Sequence, residues 1–486
     1  MMNDPMLETP YNLRMYPQSK TEVDGTALYL ARRPDEMKRL CVLGDAAGFV
    51  GEKQGDLLLC PLTPENAAAL RTRLGWLRPV CLGLGTSFGF GDRMGLATPG
   101  HARAAQRFEG IAPIFAQQSV RENARTGRTP QEVLDDATWG VFQAGWRGPW
   151  GADADHLKTP DAAEAFVAAG YTFYTVDPGD HVDDEAHTAP PAELASKVEA
   201  LPWQALETSQ VDLEQRYLNQ PFDLGDFALA FDREALYRAA AKYGRAIAHT
   251  ARMYRYLFEC MGMGNEPFEL EVSVDETETP TSPEEHYFIA GELQRLGVQW
   301  VSLAPRYVGR FEKGVDYIGD LETFEAEIAR HAAIARAFGP YKLSVHSGSD
   351  KFSIYPLVAE HTDGLVHVKT AGTSYLEALR AVARVDPELL RQIIALARER
   401  YDTDRATYHV SAELGRVPPP DALSDGDLPD VLEQFDARQV LHVTFGSVLD
   451  RFEERLLETL AAHEDVYDTL LQTHFERHLS PFAKGD

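Results

Sequence analysis

From residue 79 onward the chain repeats one rhythm eight times. A short apolar run ends in Gly, Asp, His or Ser, and a helical stretch follows many of them. The runs span 79–85, 111–118, 151–156, 171–181, 268–276, 298–305, 341–349 and 365–374. Connecting stretches such as AAEAFVAAG, EEHYFIAGELQRLG and SYLEALRAVARV carry apolar residues at helical spacing, and several end in Gly. Strands alternating with helices predict a parallel sheet, and eight such units predict a closed (β/α)8 TIM-type barrel, an α/β fold. With 486 residues the chain suits one decorated barrel. The predicted organisation is a small β-rich N-terminal element over 1–75 and a catalytic barrel over 76–486. TALYLARR, LCVLGD and LLLCPL supply the N-terminal strands. Residues 182–265 read as a helical insertion. Beyond residue 375, TYHVSA (407–412) and LHVTFGSVL (441–449) look strand-like, and a charged helical C-terminal extension follows from Asp450.

In such a barrel the loops after the strands converge on one mouth, so reactive groups cluster there. The strand ends here are rich in ionisable groups. They offer Asp92 and Arg93; Gln117 and Gln118; Asp155 and His156; Asp177 and His181; Asp275 and Glu276; His346 to Lys351; and His367, Lys369 and Thr370. Histidines and carboxylates from separate strands suit a divalent cation such as Zn, Mn or Ni. The expected ligands are His156, Glu276 and His346, then His181 and His367. Asp155, Glu276, Asp177 and Lys369 are the acid–base candidates. Lys369 also suits carboxylate binding or a Schiff base. Arg93 and Arg121 could clamp a substrate carboxylate. Asp92, Gln118, Ser347, Asp350, Lys351 and Thr370 are further substrate-binding candidates, the Ser347–Lys351 loop holding carboxylate or hydroxyls. The glycine-rich GLGTSFGFGDRMG matches neither a P-loop nor a dinucleotide fingerprint, and reads as a tight loop bringing backbone to the ligand.

The formal net charge of −28 argues against a nucleic-acid binder, which needs a basic footprint. It leaves an anionic small molecule open, because a cleft can be locally positive. Four scattered cysteines without a CxxC, and no apolar run long enough to cross a membrane, place the expectation in the cytoplasm. The first residues, MMNDPMLETPYNLRMYPQ, do not form a signal peptide. A homo-oligomer is allowed, with the N-terminal element as a cap or contact.

The segments GTSFGFGDRMGLATPGH, FAQQSVRENARTGRTPQEVLDDATWGVFQ, GADADH, FYTVDPGDHV, FELEVSVDETETPTSP, YKLSVHSGSDKFSIYP and HVKTAGTSYLEALR, with LHVTFGSVL extending the likeness to 449, taken together resemble the bacterial tagaturonate/fructuronate epimerase family. The resemblance implies a divalent-metal-dependent epimerase interconverting D-tagaturonate and D-fructuronate. The two sugar acids differ at C4, counted from the ketone end, which points to retro-aldol cleavage and re-addition. Alternatives are a ketohexose 4-epimerase turning fructose into tagatose, a metal-dependent aldolase or isomerase, and a non-enzymatic sugar-binding barrel.

Overall fold

The computed structural model describes residues 7–8, 12–33, 37–225 and 227–483. The reading of residues 1–6 as a non-signal start lies outside them. The barrel is closed and all-parallel. Its strands are β1 (Ser87–Gly91), β2 (Ala112–Ser119), β3 (Gly151–Leu157), β4 (Phe173–Val176), β5 (Glu269–Ser273), β6 (Ser302–Ala304), β7 (Lys342–Val345) and β8 (Val366–Lys369), paired in chain order with β8 closing on β1. Seven of the eight expected runs overlap their strand, those of β2 and β3 ending one residue later than expected.

The first run is corrected. Residues 79–85 are loop, with Val80 and Leu84 exposed, and the strand is SFGFG at 87–91. Glycine is poor in strands, which hid it. The glycines are there for packing: a Cβ on Gly91 would overlap the Ala371 backbone, and one on Gly89 would press on the Gln117 side chain. The expected ligand-approach loop is therefore a strand packed against its neighbours.

Alternate residues of each strand face opposite ways. Leu270 and Val272, Leu343 and Val345, and Val366 and Val368 join the main apolar core under the helices. Their neighbours Glu271, Lys342, His367 and Lys369 fill the barrel. Barrel interiors are commonly packed with Val, Ile and Leu. Here they hold buried charges that pair with one another, such as Lys369 Nζ 2.8 Å from Glu271 Oε1, while Lys342 donates to Ser87 Oγ at 2.9 Å.

The N-terminal strands form a seven-stranded antiparallel sheet. In Thr26–Arg32, Leu28 and Leu30 join the main core while Tyr29 and Ala31 form a second small cluster on the other face. The stretch 182–265 contains helices Pro191–Glu199, Gln210–Tyr217 and the 28-residue Arg233–Cys260, plus a hairpin of Pro221–Asp223 with Ala228–Ala230.

Two further strand expectations are corrected. LHVTFGSVL lies in helices Phe435–Val443 and Phe445–Ala462, because Val440, Leu441, Phe445, Val448 and Leu449 form a buried stripe at helical spacing. The segment 408–412 is extended chain without strand pairing, and it brings Tyr408 to the barrel mouth. Among the described residues no helix is long and apolar enough to cross a membrane.

Candidate active site

Strand β3 ends in a bulge, where its register with β4 shifts between Ala154 and Leu157 and His156 takes φ +57°. That break lets two adjacent side chains meet at the mouth. Asp155 Oδ1 lies 2.8 Å from His156 Nδ1, leaving Nε2 facing Asp275 Oδ1 and Glu276 Oε1, each at 3.9 Å. Across the mouth, His346 follows β7. Its Nε2 is 2.6 Å from Glu271 Oε1 and its Nδ1 is 3.0 Å from Asp275 Oδ1. The two imidazole rings lie 5.1 Å apart.

His156, Asp275 and His346 bring their ligand-type atoms within 4.8 Å of one another, and so do His156, Asp177 and Glu276. Each histidine gives its other nitrogen to a carboxylate, the arrangement that orients metal-binding imidazoles. His156 Nε2 is buried with no hydrogen-bond partner. Burial disfavours the charged imidazoles, yet Asp155 and Asp275 overcome it, pushing His156 up to about 10 and His346 up to about 9. The same negative field favours a cation at this point.

Beneath this cluster lies Lys369, at the end of β8. Its Nζ is 2.6 Å from Asp155 Oδ1, 2.8 Å from Asp153 Oδ2 and 2.8 Å from Glu271 Oε1. Burial opposes its charge, but the three carboxylates hold the ammonium well above the usual lysine range. Three carboxylates around the ammonium oppose the neutral amine that a Schiff base needs. Burial would raise Asp155, but His156 and Lys369 hold it well below the carboxylate range. Asp155 therefore orients His156 and is tied down by Lys369.

The remaining sequence candidates divide by position. Arg93 lines the mouth, its guanidinium bound to Glu122 Oε1 at 2.9 and 3.0 Å. Glu122 also completes the cap of helix Val120–Thr126 with Ser119. Arg121 lies 3.3 Å from Glu276, and Ser347 lines the pocket. Asp177 accepts from the Gly179 N–H at 2.8 Å, and burial raises its carboxyl.

The structure gives the other candidates contacts of their own. His181 stacks on His249 at 4.1 Å. His367 lies inside the barrel with Nδ1 2.9 Å from Ser87 Oγ. Asp92 accepts three backbone N–H groups of its own turn, from Met94, Gly95 and Ala97. Thr370 donates to the Gly89 carbonyl at 2.7 Å. Lys351 donates to the carbonyls of Glu312, Val315 and Ser349. Asp350 pairs with Arg438 at 2.8 Å and His474 at 2.6 Å, which fixes the loop after β7 to the C-terminal helices. Gln117, the neighbour of Gln118, lines the pocket and donates to Asp155 Oδ2 at 3.0 Å.

Sequence reasoning did not single out Asp275 between the two histidines, Asp153 and Glu271 around the lysine, or Lys313 and His442 in the pocket wall. The alternation Glu-Leu-Glu-Val-Ser in β5 would have turned Glu271 inward with Glu269 and Ser273. Lys313 sits on a long loop, where no strand pattern announces it.

A closed parallel barrel with acids, bases and imidazoles gathered at the carboxyl ends of its strands is a (β/α)8-barrel enzyme. The tagaturonate epimerase (UxaE) family model matches residues 16–482. A tagaturonate/fructuronate epimerase of Thermotoga maritima is 44% identical over 474 residues, covering 96% of each chain. A glycerol-complexed crystal structure of the fructuronate-tagaturonate epimerase of Cohnella laeviribosi superposes with a TM-score of 0.92 at 38% identity, over 97% of this chain and 96% of that one. The native form of the same enzyme gives a TM-score of 0.91. This chain belongs to the tagaturonate epimerase family, whose members are enzymes of the isomerase class.

Proposed function

We propose that this chain is a divalent-metal-dependent epimerase that interconverts D-tagaturonate and D-fructuronate in the cytoplasm. The observation that carries the reading is the His156, Asp275 and His346 cluster at the barrel mouth of a member of this family. The residues fit a metal: two imidazoles present nitrogens toward one carboxylate, and each is oriented from behind by another. The donor set suits Zn, Mn or Ni. A divalent ion held there would supply Lewis-acid polarisation of the ketose oxygens.

The hydrogen at C4 is not next to the ketone, so simple proton abstraction cannot invert that carbon. Cleavage and re-formation of C3–C4 can. A base takes the proton of the C4 hydroxyl, and the C3–C4 electron pair moves toward the C2 oxygen. This leaves an enediolate and a three-carbon aldehyde acid. The aldehyde turns, C3 adds to its other face, and an acid returns the proton to the C4 oxygen. Glu276 and Asp177 flank His156, and we assign them to carry these protons. Asp155 and Lys369 hold the ligands in place.

The test is turnover of fructuronate and fructose, side by side, on metal-stripped protein resupplied with Zn, Mn or Ni. Metal-dependent conversion of fructuronate to tagaturonate is the expected result. Metal-dependent conversion of fructose alone would change the substrate to a neutral ketohexose. Conversion of neither would overturn the reading.

A further inference from the structure

We propose that Lys313 and Ser347 form the subsite for the substrate's carboxylate, and that Lys313 sets the preference for a uronate over a neutral ketose. The inference rests on the epimerase reading above and deepens it. Four lysine and arginine side chains line the pocket, and three of them are already neutralised. Arg93 is bound to Glu122, Arg121 to Glu276, and Lys369 to Asp153, Asp155 and Glu271. Lys313 has no carboxylate within ion-pair distance among the described residues. Its Nζ donates to Ser347 Oγ at 2.6 Å and keeps further donors for a ligand. A half-buried ammonium without a direct ion-pair partner is costly until an anion reaches it. In keeping with this, burial and the nearby Arg121 charge pull the lysine down from its usual range, against the opposing pull of Glu276, Asp275 and Glu122, which lie beyond ion-pair distance.

Placement supports the same assignment. Ser347 directly follows His346, so an anion on the Lys313–Ser347 pair sits beside the ligand cluster and belongs to the same bound molecule. Ser347 takes φ +51°, a left-handed conformation that a non-glycine residue adopts only where the fold compels it. The loop is compelled by its anchor, Asp350, held by Arg438 and His474. A carboxylate accepting from one ammonium and one hydroxyl matches this geometry.

The experiment compares wild type, Lys313→Met and Lys313→Arg in the metal-loaded enzyme, with D-fructose as a neutral competitor. Loss of one charge-assisted contact should raise the fructuronate KM of Lys313→Met on the order of 10- to 100-fold. Its kcat should stay within a few-fold, inhibition by fructose should be unchanged, and Lys313→Arg should recover much of the KM. A fall in kcat with KM unchanged, or an equal loss for fructuronate and fructose, would overturn the Lys313 assignment and leave the epimerase reading standing. A wild type inert on fructuronate would overturn both.

Discussion

The Lys369 ammonium lies 2.6 Å from Asp155 Oδ1, and Asp155 is the carboxylate that orients His156. The same ammonium also meets Glu271, which orients His346. One buried cation therefore braces both imidazoles of the proposed metal site from below. Its removal leaves Asp153, Asp155 and Glu271 buried without it. Lys369→Met is expected to destabilise the fold by about 3–5 kcal/mol, read by urea unfolding, and to abolish turnover. Borohydride added with substrate should leave the wild-type mass unchanged. A trapped adduct on Lys369 would contradict this role.

Asp275 and Glu276 are neighbours with different expected duties. Asp275 faces both histidines, whereas Glu276 faces His156 and Arg121. Asp275→Asn should lose metal, measured by metal content after dialysis. Glu276→Gln should keep the metal and lose turnover by about 100-fold or more, the usual scale of a general acid or base. The reverse pattern would restore Glu276 as the ligand.

Much of the fold was legible because parallel strands and their helices write strong periodicities. Seven of the eight barrel strands could be placed from short runs; the glycine-rich SFGFG escaped, as did the hairpin of Pro221–Asp223 with Ala228–Ala230 inside the insertion read as helical. The C-terminal helices misled because Leu441, Val443 and Phe445 fit a strand spacing as well as a helical one. The site was legible where strands end in histidine, at His156 and His346. It was obscure where the barrel buries charge. Asp153 and Glu271 read as ordinary acidic residues until Lys369, far along the chain, is placed between them. His181 and His367 show the converse: one stacks on His249, the other bonds Ser87 inside the barrel, and neither joins the cluster of His156, Asp275 and His346.

The C-terminal helix carries a separate pH signature. Asp468 is buried, and burial pushes its carboxyl up to about 7, although Arg103 at 3.0 Å pulls the other way. Lys38 also lowers it, and Glu464 and Asp465 raise it. An unfolded aspartate titrates near ~3.9. With the folded value higher, its contribution to stability is full below pH ~4 and is lost as pH rises through about 7. Asp468→Asn should flatten the decline of Tm between pH 5 and 8, both values being roughly set by this window. An unchanged slope would remove Asp468 as its source.

If C3–C4 breaks, the rotating fragment is the one that carries the carboxylate. Wild type should therefore retain the original hydrogen at C4 when the reaction runs in deuterated water. Lys313→Met, lacking the anchor, should leak dihydroxyacetone at a rate a coupled assay can follow. Solvent deuterium at C4 would contradict the cleavage route.

The central claim is that His156, Asp275 and His346 hold the divalent ion on which epimerisation depends. The most direct measurement adds metal stepwise to stripped protein while recording bound ion and fructuronate turnover together. Activity should rise in proportion to occupancy of this site, and His346→Ala should neither bind the ion nor turn over. Full turnover by the stripped protein, or by a His346→Ala chain, would contradict the account.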